Sequence, residues 1–197
     1  MTILLRISRL IDRISEISGW IAQILVIVTV TLGFYNVVAR YVGRSIGMNL
    51  SSNLFLEMQW HLFSLVFFLG FSYILKHGVN VRVDFIYGHW SKQRKALLDF
   101  WGHLLLLVPF CILGIYVSVS PVLTSWGRLP DGTWGTWELS PDPNGIPRAP
   151  IKTMIIIAFV LLLMQVIAEL IKLWAVLRGQ DVDVEELGEG ASPLRIE

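Results

Sequence analysis

The residues of this chain that can do chemistry are few and sit inside long apolar runs. Arg40 and Glu57 flank one short polar link, and Asp99, His103, Glu169 and Lys172 fall within later apolar stretches. An ionisable side chain in such a run is expensive unless it is paired, so each is first a candidate for an ion pair, a proton path or a ligand. Arg40 and Glu57 are expected to form an intramembrane ion pair. Asp99, His103, Glu169 and Lys172 are expected to form a second polar cluster, where opposite charges neutralise each other as helices pack. His61 and His103 raise a further option, a b-type haem held by two imidazoles on facing helices. Their predicted depths differ by roughly 12 Å at 1.5 Å per residue, which argues against it. Cys111 is the only cysteine, so neither a disulfide nor a thiolate metal site can be built within the chain, and a small packing residue is the expected role.

The elements that position these residues follow from composition. Of 197 residues, 54% are hydrophobic and only 16% charged. A soluble domain of this size cannot bury that much apolar surface, so the surplus must face lipid. Four apolar runs approach or exceed the ~20 residues needed to cross ~30 Å of hydrocarbon. The fold class is therefore all-α, with four transmembrane helices over about 19–41, 54–76, 96–119 and 152–176. Residues 1–180 are read as one membrane domain, and 181–197 as an acidic, disordered tail. Ahead of the first span, Ile3, Leu4, Ile7, Leu10, Ile11, Ile14 and Ile17 recur at helical spacing opposite Arg6, Arg9, Asp12, Arg13 and Glu16. This pattern predicts an N-terminal amphipathic helix in the membrane interface, retained rather than cleaved.

Local signals refine the spans. Ser91 is placed to N-cap the third helix through its hydroxyl. Pro109 inside that helix should free the carbonyl of Leu105 and bend the axis. The 120–150 segment carries six prolines and Trp126, Trp134 and Trp137, which suits a loop folded back on the interface or against a partner. Counting Lys and Arg, the ends and the link after the second span hold twice as many as the other side, so both termini are expected in the cytoplasm. That makes the chain a multi-pass membrane protein. The formal net charge of +1 gives no basic face for nucleic acid. There is no metal-spaced His/Asp/Glu set, phosphate loop or nucleophile elbow, so an enzyme is not expected, and no cofactor. Broken helices and internal repeats, the marks of a self-contained secondary transporter, are missing as well.

The stretch Glu57–Tyr87 carries an acidic residue, Trp60, FFLG ending at Gly70, then LKHG and VRVDFIY. It resembles the DctQ-type small membrane subunit of tripartite ATP-independent periplasmic (TRAP) transporters. LSPDPNGIPRAPIK, ending at Lys152, and MQVIAELIK, ending at Lys172, are similar to a branch of that family associated with 2-oxoacids and related carboxylates. Asn80 stands where the family often has His. The resemblance implies sodium-coupled uptake of carboxylate solutes across a bacterial inner (cytoplasmic) membrane. A large multi-spanning membrane subunit would carry substrate and sodium, and a periplasmic substrate-binding protein would deliver the solute. The small subunit would scaffold the large one and add docking surface. On that basis Lys76, His77, Arg82 and Asp84 are expected to anchor the chain at the cytoplasmic surface, and Trp134, Trp137 and Arg148 to help dock the binding protein. A haem-bearing membrane anchor and a self-contained small transporter or channel are the competing readings.

Overall fold

The computed structural model describes residues 2–48, 50–79, 90–143 and 145–179. Five α-helices account for most of them: α1 (Thr2–Ile46), α2 (Asn53–Lys76), α3 (Lys92–Gly102), α4 (Val108–Ser125) and α5 (Ala149–Leu177). A π-helical turn, His103–Leu107, joins α3 to α4, so that Gln93–Ser125 forms one span. Four helical segments are thus long and apolar enough to cross a membrane. Among the described residues there is no strand, only an isolated bridge between Arg128 and Trp134.

The first helix differs from its sequence reading. The amphipathic segment and the first span form one uninterrupted helix of 45 residues, roughly 68 Å long at 1.5 Å per residue and about twice the hydrocarbon thickness. Nothing in 2–46 forces a break. Gly19 alone costs an α-helix only about 1 kcal/mol, and its missing side chain is needed where the Tyr73 ring lies against the backbone. The helix ends where the sequence permits, at Gly47 with φ +72°. There the Met48 N–H donates to the Gly43 carbonyl at 2.9 Å, closing the last turn.

The third span shows how Pro109 is accommodated. Instead of a single unpaired carbonyl in a regular helix, the preceding five residues widen into the π turn, and the Val108 N–H donates to the His103 carbonyl. The shifted register absorbs the donor that proline lacks. Ser91 does occupy the N-cap position, but its hydroxyl makes no capping bond; its backbone carbonyl accepts from the Lys95 N–H at 3.1 Å.

Contacts group the chain into two compact units that share helices. One comprises Met1–Gly19, Gly70–Gly114 and Ala158–Glu197; the other comprises Trp20–Leu69 and Ile115–Ile157. In the first, Ala96, Leu173, Ala175 and Val176 are buried together with Leu5 and Phe100 packed on them. Gly114 lets the Phe159 ring approach so closely that an added Cβ would lie 2.6 Å from it. In the second, Gly33 admits the Gln59 amide in the same way, and Tyr35 meets Phe55 edge-on at 5.3 Å. Small residues at close helix contacts are what a chain uses when lipid removes the hydrophobic drive between helices. The apolar bulk lies outside: Phe34 is 71% exposed, Leu106 73% and Tyr116 78%. A surface of that kind belongs in lipid or against another apolar chain.

Candidate functional site

Polar side chains collect at one place in each unit. In the first unit Ser8, Asp12 and Ser15 recur every three to four residues on α1 and are buried, as are Gln165, Glu169 and Lys172 on α5. Ser15 Oγ donates to Gln165 Oε1 at 2.6 Å, and Gln165 Nε2 donates to both Asp12 Oδ1 and Glu169 Oε1 at 2.8 Å. Lys172 Nζ, only 1% exposed, reaches Glu169 Oε1 at 2.6 Å and Asp12 Oδ1 at 3.4 Å. Ser8 Oγ adds a bond to the Ala168 carbonyl at 3.4 Å. One ammonium between two carboxylates, with an amide bridging them, is a closed arrangement that ties α1 to α5. Removing any charge would strand its partners.

The same face of α1 continues to α2. Ser18 and Ser72 hydroxyls lie 3.0 Å apart, and Glu16 accepts from Lys76 at 2.5 Å and meets the His77 ring at 2.7 Å. The amphipathic segment therefore turns Ser8, Asp12, Ser15 and Ser18 into the unit, while Arg6, Arg9 and Arg13 are exposed, as are Ile3, Leu10 and Ile17.

Of the four residues grouped from the sequence, Glu169 and Lys172 lie 2.6 Å apart, and Asp12, Ser15 and Gln165 join them without having been singled out. The available signal was the serine spacing on α1 matched to the Gln165, Glu169, Lys172 spacing on α5. Asp99 stands on α3 and His103 opens the π turn. Of the expected anchor set, Lys76 and His77 bind Glu16, while Arg82 and Asp84 lie outside the described residues.

In the second unit the polar chemistry holds a loop. Glu57, near the start of α2 and buried, accepts from the Ser140 hydroxyl and the Ile146 backbone N–H. Among the described residues it forms no ion pair with Arg40: the carboxylate expected to neutralise α1 instead receives the 139–148 segment, a loop rich in proline and thus poor in its own backbone bonds. Glu138 forms the matching clamp, accepting from Lys152 and from Ser125 Oγ, the latter at 2.7 Å. The bonds from Lys152 first and Ser125 second hold its carboxyl below the ordinary range. Backbone bonds Glu138 N–H to Ser125 O and Arg148 N–H to Glu138 O, at 2.8 and 3.1 Å, draw the loop ends together.

The middle of the loop is a tight turn. The Leu129 N–H donates to the Thr133 carbonyl at 2.9 Å, and Asp131 accepts from the Thr133 hydroxyl at 2.7 Å and its N–H at 3.1 Å. Those bonds keep the Asp131 carboxyl low as well. Gly127, with φ +100°, lies where an added Cβ would be 2.7 Å from the Gly135 carbonyl oxygen.

The three residues expected at a docking surface occupy different settings. Trp134 is 64% exposed at the turn, Trp137 packs on Trp126 with ring centroids 5.8 Å apart, and Arg148 is half-buried beside α5. Trp126 is itself fixed by its indole N–H to Thr153 Oγ1 at 2.8 Å. His61 Nδ1 lies 2.8 Å from the Glu57 carbonyl of its own helix, and the ring stacks on Trp60. Cys111 is fully buried.

No curated protein and no solved structure matches the chain. A family does: residues 29–176 match the one described as tripartite ATP-independent periplasmic transporters, DctQ component. With four membrane-length helices and a match across about three quarters of its length, the chain belongs to the DctQ family of TRAP transporter components.

Proposed function

We propose that this chain is the scaffold subunit of a sodium-coupled TRAP transporter for carboxylate solutes. It braces a large multi-spanning subunit that carries solute and sodium, and it presents the 126–148 loop to a periplasmic substrate-binding protein. Both termini lie in the cytoplasm and the loop faces the periplasm, in agreement with the excess of Lys and Arg on the terminal side. One observation supports this reading above the others. The buried charged side chains Asp12, Glu57, Glu169 and Lys172 are engaged in holding helices and loop together, while large apolar side chains cover the outside. That arrangement leaves an apolar surface for lipid and for another membrane subunit.

The docking assignment rests on the loop being pinned at Glu57 and Glu138 with Trp134 held outward. A preorganised loop loses less freedom on binding than a free one, so a binding protein gains affinity from it. Deleting the segment from Trp134 to Pro143 is expected to weaken binding-protein affinity and solute uptake at least tenfold while leaving assembly with the large subunit intact. Unchanged affinity and uptake would remove the docking role.

A further inference from the structure

Between α2 and α5 in the second unit lies an open groove of about 280 Å³, walled by Trp60, Ser64, Phe68, Ile151 and Ile155, with Arg148 and Lys152 on its polar side. Apart from those two cations and Ser64 the groove is lined by apolar and aromatic side chains and lies along segments long enough to span a membrane. The Ser64 hydroxyl is already spent on the Trp60 carbonyl at 2.8 Å. Lys152 is spent on Glu138.

Arg148 is different. Its Nε is buried and has no hydrogen-bond partner among the described residues. The two carboxylates close enough to feel its charge, Glu57 and Glu138, are occupied by Ser140 and Ile146 and by Lys152 and Ser125. Neither forms an ion pair with it among the described residues. A half-buried guanidinium with an unused donor fork beside an apolar groove calls for an acceptor with two oxygens and an apolar tail.

We propose that this groove holds one phospholipid, its phosphate on Arg148 and an acyl chain along Trp60, Phe68 and Ile155. The phosphate matches the planar fork, and the chain covers an indole that is otherwise 42% exposed. A soluble anion would satisfy Arg148 but leave the walls bare. The inference needs only that these helices span a membrane, and it stands apart from the scaffold role.

The test uses the full chain, alone and assembled with the large subunit, stripped of lipid in detergent. Phosphatidylglycerol with brominated acyl chains is added back and tryptophan quenching is followed. Saturable quenching that Trp60→Phe largely abolishes is expected. Arg148→Gln should raise the half-saturating lipid concentration about tenfold, or about 1.4 kcal/mol, with Arg148→Lys intermediate. Ile155→Trp, which fills the groove, should remove the saturable phase even if Arg148→Gln folds poorly. Brominated diacylglycerol, lacking the phosphate, should quench no more than background. The proposal is overturned if Arg148→Gln titrates like the parent chain, if diacylglycerol binds as well, or if millimolar inorganic phosphate competes the lipid away, marking a soluble-anion site. Saturable quenching of the isolated chain that vanishes on assembly would also overturn it, assigning the groove to the large subunit.

Discussion

The network around Lys172 and the clamp around Glu57 and Glu138 use the same side-chain types for different ends. At Lys172 every partner comes from a helix, and the charges are sealed from solvent. Glu57 sits near the start of α2 and Glu138 in the loop, and they receive hydroxyls, an ammonium and a backbone N–H from the loop, the end of α4 and the start of α5. The difference is one of what each group would lose. A buried charge cannot be hydrated when its partner goes, so the first region is an all-or-none lock. Glu57 is covered by the loop it holds and Glu138 lies within that loop, so releasing the loop opens both carboxylates to water; the second region is a clamp that frees the loop and leaves the helices standing. Helix packing and loop presentation are thereby separable by substitution.

The largest effect is expected at the lock. Lys172→Met leaves Asp12 and Glu169 buried without a cation and should cost about 3–5 kcal/mol, read as a large fall in the unfolding midpoint in detergent. Combining it with Asp12→Asn and Glu169→Gln should restore most of that loss, because the stranded charges go too. A triple variant as unstable as the single one would show that the charges are not what matters there.

Next comes the close approach of α1 to α2. Gly19→Ala places a methyl against the base of the Tyr73 ring, and an overpacked contact of this kind costs about 1–3 kcal/mol. Gly47→Ala, where nothing crowds the added methyl but φ is +72°, should cost less by the same measurement.

At the clamp the readout changes from stability to loop order. Glu57→Gln loses the charge that two donors share, so limited proteolysis should cut within 139–148 at least fivefold faster while the unfolding midpoint moves little. A midpoint that falls as far as for Lys172→Met would erase the distinction between lock and clamp.

The smallest effect is a pH dependence at Glu138. Its folded carboxyl titrates below the ordinary value, so its contribution is complete above the unfolded pKa and is lost as pH falls through the lowered folded one. Acidification below the usual carboxylate range should loosen the loop and change emission from Trp126 and Trp137. Glu138→Gln should flatten that change.

Much of this architecture was legible in the sequence, and the physical reason is that the bilayer sets helix length. Apolar runs of spanning length gave four membrane helices because an unbroken run of that length satisfies its own backbone in hydrocarbon only as a helix. The pairing of Glu169 with Lys172 was legible because the two lie one helical turn apart. Partner choice across the chain was not. Arg40 and Glu57 are neighbours along the sequence, yet Glu57 binds Ser140 and Ile146, more than eighty residues away. Hydrophobic periodicity says which side of a helix is polar but not what that side meets. The α1 segment shows the ambiguity, since Ser8, Asp12 and Ser15 suit a headgroup surface or an internal network equally well and the structure uses them internally. The π turn before Pro109 was equally hidden, because a missing donor is met by a kink, a water or a register shift with no sequence mark to choose among them.

The scaffold reading is tested most directly by reconstitution. Proteoliposomes carrying this chain alone, the large subunit alone, or both, each with the binding protein outside, would be loaded with an imposed sodium gradient and assayed for uptake of a labelled 2-oxoacid. Uptake is expected only when all three components are present. Sodium-driven uptake by vesicles holding this chain without the large subunit would contradict it.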